Sequence, residues 1–257
     1  MTAILNNLPL KGPVRFNPRS AWARGLVCAY LDYHNRADPV GNGGSLQQSA
    51  SYIGPEKGGF DTRMGGGYFT APVQNLPSNE YTVAFWGNIR DSSGTGILSL
   101  SNGSSGTRHL VWTQGGDLKV WTGRATQVIV SGNFPEDEMA HFVITYSGTV
   151  GDNRAFFDGV EASAYDVQDL ANTKSNTTLT LNNRYDLSTT FDGDNELYDV
   201  RIYDRLFTPE EALGLYQSRH DIYEPAWPIY IPKAAAAGGF QSAWARGSNS
   251  ILGGFNP

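Results

Sequence analysis

FDGDNELYDVRIYDRLFTPEE, residues 191–211, is the stretch on which the reading of the whole chain turns. The acidic turn Asp192-Gly193-Asp194 leads into Leu197-Tyr198-Asp199-Val200-Arg201-Ile202-Tyr203. On a period of two, Tyr198, Val200 and Ile202 fall on one face, and Leu197, Asp199, Arg201 and Tyr203 on the other, as in a half-buried strand. Thr208-Pro209-Glu210-Glu211 then reads as a helix start. Thr208 caps, Pro209 suits the first helical position, and Glu211 closes a capping box. Phe207, just before the cap, is placed to staple onto the first turn. The pattern predicts one helix, Pro209 to Gln217, directly after a strand.

Working outward, the rest is β-rich. Leu26-Val27-Cys28-Ala29-Tyr30 reads as a buried strand. In Glu80 to Arg90, Tyr81, Val83 and Phe85 alternate with Thr82, Ala84 and Trp86. Further strands are predicted over Thr95 to Leu100, His109 to Trp112, Leu118 to Thr122, Gln127 to Val130, Ala140 to Tyr146, Arg154 to Val160 and Thr177 to Asn182. Asp38 to Gly67, rich in Gly, Ser and Asn, reads as loops and short edge strands. Short strands with turn signals every 8 to 12 residues or so are the signature of a sandwich or barrel.

Composition bounds the function. Forty per cent apolar and 17% charged residues in a chain of 257 allow one sizeable β domain with a real core. A net charge of −6 argues against nucleic acid and against anionic lipid as partners. Cys28 is the one cysteine, which excludes an intrachain disulfide, and its surroundings mark it as a small buried hydrophobe. MTAILNNLPLKGPV has neither a basic start nor an apolar core of the kind an export signal needs, and no run is long enough to span a membrane. Those features predict a protein made and used without export, or released by lysis.

The two ends echo one another. Ser-Ala-Trp-Ala-Arg-Gly occurs at 20–25 and again at 242–247, each with a Phe shortly upstream, Phe16 and Phe240. Phe-Asn-Pro occurs at 16–18 and at 255–257. Lys233-Ala234-Ala235-Ala236-Ala237-Gly238-Gly239 separates the second copy from the domain with a linker composition. Extended, each copy would point its Trp and the Arg two positions on to one side. Phe240, Trp244, Arg246, Ile251 and Leu252 are types enriched at interfaces, and residues 233–257 read as a linker and docking tail.

The order E-L-Y-D-V-R-I-Y-D-R-x-F-T-P-E-E resembles the closing segment of the laminin-G-like, concanavalin A-like jelly rolls. Arg24-Gly25-Leu26-Val27 resembles the opening strand of that family. Glu80 to Arg90 is similar to its F-T-x-x-x-W strand, and Ala140 to Tyr146 with Arg154 to Val160 to its paired W-H-x-V-x-x-Y and Y-V-D-G strands. His141 sits where the family carries its histidine, and Tyr198 departs from an acidic position. The resemblance spans about residues 24 to 217. It implies an all-β fold: an antiparallel jelly-roll sandwich over 16–232, with one short C-terminal helix, an extended arm over 1–15, and the tail beyond.

The resemblance extends to the laminin-G-like proteins of tailed-bacteriophage particles, including capsid-decorating ones. It implies a non-catalytic structural protein of the virion surface, assembled in the host cytoplasm. Such a protein docks on capsid or other virion proteins through its arms and self-associates on a symmetric lattice. A glycan-binding module of a tail or adhesin is the alternative, and a glycoside hydrolase with a degenerate motif a third.

Candidate chemistry is sparse. The glucanases of this superfamily carry E-x-D-x-E on one strand, so that alternate carboxylates enter the cleft. Here Asp194 and Glu196 share a face, Asp199 falls on the other, and no third carboxylate completes the set. His34, His109, His141 and His220 are too scattered for a transition-metal motif. No cofactor is required. For Ca²⁺ the candidate ligands are Asp192, Asp194 and Glu196, with Asp152 and Asn153, although no full ligand loop is legible. Trp112 and Trp121, near Gly-rich loops, are the candidate glycan platform. The sequons Asn102-Gly103-Ser104 and Asn176-Thr177-Thr178 mean little without export.

Overall fold

In a computed structural model Asn195–Tyr203 form an interior strand, with neighbours on both sides. The described residues are 14–30, 38, 40–48, 60–61, 67–76, 80–90, 94–102, 109–121, 127–130, 135–147, 153–162, 177–184, 186–187, 195–218 and 221–225. The strands are β1 (Val14–Phe16), β2 (Leu26–Tyr30), β3 (Gln47–Gln48), β4 (Phe60–Asp61), β5 (Phe69–Pro72), β6 (Glu80–Ile89), β7 (Gly96–Ser101) and β8 (His109–Gln114). They continue with β9 (Asp117–Trp121), β10 (Gln127–Val130), β11 (Met139–Ser147), β12 (Ala155–Phe157), β13 (Val160–Glu161), β14 (Thr178–Leu181), β15 (Asn195–Tyr203) and β16 (Tyr223–Pro225). One α-helix, α1 (Pro209–Gln217), follows β15.

Two antiparallel seven-stranded sheets face each other, ordered β13-β12-β11-β6-β15-β2 with β4 beside β15, and β10-β9-β8-β7-β14-β5-β3. The inward faces supply one main core. Tyr81, Val83 and Phe85 of β6 and Phe142 and Ile144 of β11 meet Leu98, Leu100, Val111, Leu179 and Leu181 of the other sheet. Tyr81, His109 and Tyr146 stack inside it, and Tyr81 shares a hydrogen bond with His109 Nδ1. Burial pushes the Tyr146 hydroxyl far above its ordinary range, so it stays neutral. Cys28 is fully buried, as the apolar run around it requires.

The central strand corrects the simple alternation. Leu197 joins Val200 and Ile202 in the main core, not the face of Arg201 and Tyr203. The cause is a β-bulge between Tyr198 and Arg201: Asp199 and Val200 together oppose Phe85. Asp199 takes φ of 49°, a left-handed geometry that Asp tolerates better than most residues. The strand is buried on both faces rather than half-buried. A period-two reading cannot see an extra residue.

The outer face of this sheet is covered because it carries a second, smaller core. Tyr203, Phe207, Ala212, Leu215, Ile222 and Phe156 build it, with Phe16 and Trp22 packed against it. Helix α1 spans the predicted residues, and its capping box is complete: Thr208 Oγ1 accepts from Glu211 N–H, and a Glu211 carboxylate oxygen from Thr208 N–H. Phe207 is buried against Tyr203 and Trp22. Arg205 lies over the Phe207 ring, 4.4 Å from its centroid.

The N-terminal hexapeptide is not extended as expected. Ala21–Ala23 form one 3-10 turn whose cap, Ser20, accepts from Trp22 N–H. Val14 and Arg15, read as the end of an arm, belong to β1, which pairs with β16. Trp22 bears on Gly214 of α1, where an added Cβ would lie 2.9 Å from the indole. Trp22→Ala therefore removes half-buried roof from the second core. We expect a loss of about 2 kcal/mol of unfolding free energy, checked by urea titration of dilute protein. No change would place Trp22 outside the packing.

Candidate functional site

The polar and aromatic residues that could do chemistry gather on the outer face of the β15 sheet. Alternation and the bulge bring Glu196, Tyr198, Asp199 and Arg201 to that face of β15. Trp86 comes from the facing row of β6, His141 from β11 and Tyr216 from α1. Arg90, just past the end of β6, reaches back over it: its Nη2 donates to Glu196 Oε2 at 2.9 Å. The Tyr198 hydroxyl donates to Glu196 Oε1. Glu196 is 1% exposed, so both of its oxygens are spent on internal partners.

Arg201 holds Asp199 by two bonds, Nε to Oδ1 at 2.8 Å and Nη2 to Oδ2 at 2.6 Å. Both side chains are all but inaccessible, at 2% and 3%. The bulge thus places Asp199 on the side of Glu196, correcting the opposite-face reading. The two carboxylates share a face, yet each is neutralised by its own guanidinium. Tyr203, next along, is raised by desolvation and only partly eased by Arg201.

Beside this ribbon Trp86, His141 and Tyr216 form a cluster, with Trp86 5.1 Å from His141 and 5.6 Å from Tyr216. Asp158, in the turn between β12 and β13, accepts from His141 N–H at 2.8 Å. Burial pushes its carboxyl up, that hydrogen bond opposes the shift, and Glu138 reinforces it. Two free carboxylates a fixed distance apart are what glycoside hydrolysis needs. The ribbon supplies paired and buried ones.

The other candidates lie elsewhere. Trp112 and Trp121 sit on the β8–β9 hairpin, with ring centroids 6.1 Å apart. Trp112 is 3% exposed, so Trp121, half-buried, has the more open ring. Lys119 Nζ donates to Gln114 Oε1 beside it. Asn153 Oδ1 accepts from Ser147 N–H, and Glu196 is engaged as described. Among the described residues no three His, Cys, Asp or Glu side chains gather as a metal would need. Asp152, Asp192, Asp194, His34 and His220 lie outside the described residues, as do Phe240, Trp244, Arg246, Ile251 and Leu252. No helix among the described residues is long and apolar enough to cross a membrane.

Sequence reasoning did not find Arg90, Asp158 or Tyr216. The Arg90–Glu196 pair joins residues 106 apart, and only the β6–β15 register brings them together.

Comparison with known proteins agrees with the fold. A family model described as the concanavalin A-like lectin/glucanases superfamily, of the laminin-G type, matches residues 63–212. No curated protein matches the chain. Among solved structures, the chain is similar to domain 4 of the extracellular GH43 arabinanase AbnA from Geobacillus stearothermophilus, solved with arabinotriose. The identity is 17% and the TM-score 0.57, over 75% of this chain and 98% of that one. It is also similar to the botulinum neurotoxin serotype D ligand-binding domain in complex with N-acetylneuraminic acid. There the identity is 12% and the TM-score 0.58, over 76% of this chain and 51% of that one. The receptor-binding domain of the botulinum C/D mosaic serotype gives 13% and 0.58, with the same coverage. The chain spans about half the length of the neurotoxin domains it matches.

Proposed function

Because this chain belongs to the concanavalin A-like lectin/glucanase superfamily, we propose that it serves as a non-catalytic structural protein on the surface of a bacteriophage particle. In this reading the sandwich is presented outward and the terminal arms dock on capsid or other virion proteins, with self-association on the lattice. The observation that supports the non-catalytic part is the buried ribbon. Glu196 is held by Arg90 and Tyr198, and Asp199 by Arg201, and both are buried, so neither presents a carboxylate to a substrate. The virion part rests on the motif resemblance, the acidic net charge and the duplicated hexapeptide on a linker.

A second reading, recognition of a glycan by the sandwich, is favoured by relatives of the same fold solved with arabinotriose and N-acetylneuraminic acid. Trp121 is then the ring available for stacking on a sugar. Incubation with a panel of β-glucans should release no reducing sugar. Turnover that vanished in Glu196→Gln would overturn the non-catalytic reading. A glycan array separates the two binding readings: specific glycan binding lost in Trp121→Ala selects the second.

A further inference from the structure

The duplicated hexapeptide has a structural explanation in its first copy. Every position of Ser20-Ala21-Trp22-Ala23-Arg24-Gly25 has a local task. Ser20 caps the 3-10 turn. Ala21 and Ala23 flank Trp22 within that turn, and the Trp22 indole lies against Gly214 of α1 and beside Phe207, with ring centroids 6.2 Å apart. The Arg24 carbonyl accepts from Arg205 Nε at 3.2 Å. Gly25 takes φ of +73°, and a Cβ there would meet Asp204 Oδ1 at 2.4 Å. The six residues fit one notch, formed by Gly214, Phe207, Arg205 and Asp204. The same six recur at 242–247.

We propose that residues 242–247 are a second insert for this notch, and that they seat in the notch of another copy of this chain in place of its residues 20–25. A surface that accepts the hexapeptide through the same contacts must offer a Cβ-free helix position beside an aromatic ring and a guanidinium. The chain itself carries such a surface. Residues 226–241 separate the last strand from the second copy and reach about 55 Å when extended, enough to cross to a neighbour. The segment to be displaced is lightly held. Trp22 is only partly buried, residues 17–25 belong to no strand, and among the described residues β1 pairs with β16 alone, outside both sheets. Exchanging like for like is close to neutral in energy, so it is weak in dilute solution and strengthens where copies are crowded on a lattice.

This deepens the docking role proposed for the tail by naming the surface it fits. It is tested on the isolated protein, so its failure is distinct from failure to bind a particle. In full-length Trp22→Ala the notch is vacated. Its melting temperature should rise with protein concentration, and light scattering should show dimers or larger species at concentrations at least tenfold below those at which the wild type associates. Trp22→Ala with Trp244→Ala should stay monomeric, with a concentration-independent melting temperature, whereas Trp244→Ala alone should melt like the wild type. If Trp22→Ala does not fold, Trp22→Phe replaces it in both arms. Equal behaviour of the single and double variants would overturn the proposal. So would stabilisation by Trp244 in a species that remains monomeric.

Discussion

Arg201→Ala should lower the unfolding free energy by about 3–5 kcal/mol. Asp199 and Arg201 are 3% and 2% exposed and joined by two short bonds. Removing the guanidinium takes both of these bonds from a buried carboxylate. The cost is that of breaking a buried ion pair, several times the value of a surface one. Removing both charges, as in Arg201→Met with Asp199→Asn, should recover part of the loss while keeping a residue that tolerates the left-handed backbone. Urea titrations of the three proteins read all of this. A deficit under 1 kcal/mol would show that the pair is not buried as described.

Trp244→Ala should weaken assembly on the particle at least tenfold and leave the melting temperature of the isolated protein alone. Truncating a Trp buried against a partner costs about 2 kcal/mol or more, and tenfold is 1.4 kcal/mol. A chain ending at Pro232 should behave likewise, with folding retained and particle binding lost. The reason is separation: the described core is closed by residues up to Ile222, ahead of the Ala- and Gly-rich linker. Co-sedimentation with purified virions measures the binding, and calorimetry the folding. Unfolding of the shortened chain would make the tail part of the sandwich.

Much of the fold was legible because it is local. Thr208, Pro209 and Glu211 specify the helix start within four residues, and the alternation in Glu80–Ile89 separates Tyr81, Val83 and Phe85 from Thr82, Ala84 and Trp86, the first set being the one the core takes. What escaped is long-range or irregular. The bulge at Asp199 shifts the face of Leu197, and nothing in the period announces it. The ribbon of Arg90, Glu196 and Tyr198 exists only once β6 and β15 are in register. The Trp86–His141–Tyr216 cluster needs α1 folded back over the sheet. The turn at Ala21–Ala23 escaped because alanines flanking a tryptophan fit extended and 3-10 backbone alike.

The most direct test of the account is an image of the native particle at a resolution that traces this chain. We expect sandwiches projecting outward in symmetric contacts, with Phe240 and Trp244 buried at the base against virion proteins or neighbouring copies. Particles that lack the protein, or that carry it with the tail in solvent and the β15 sheet as the attachment face, would contradict it.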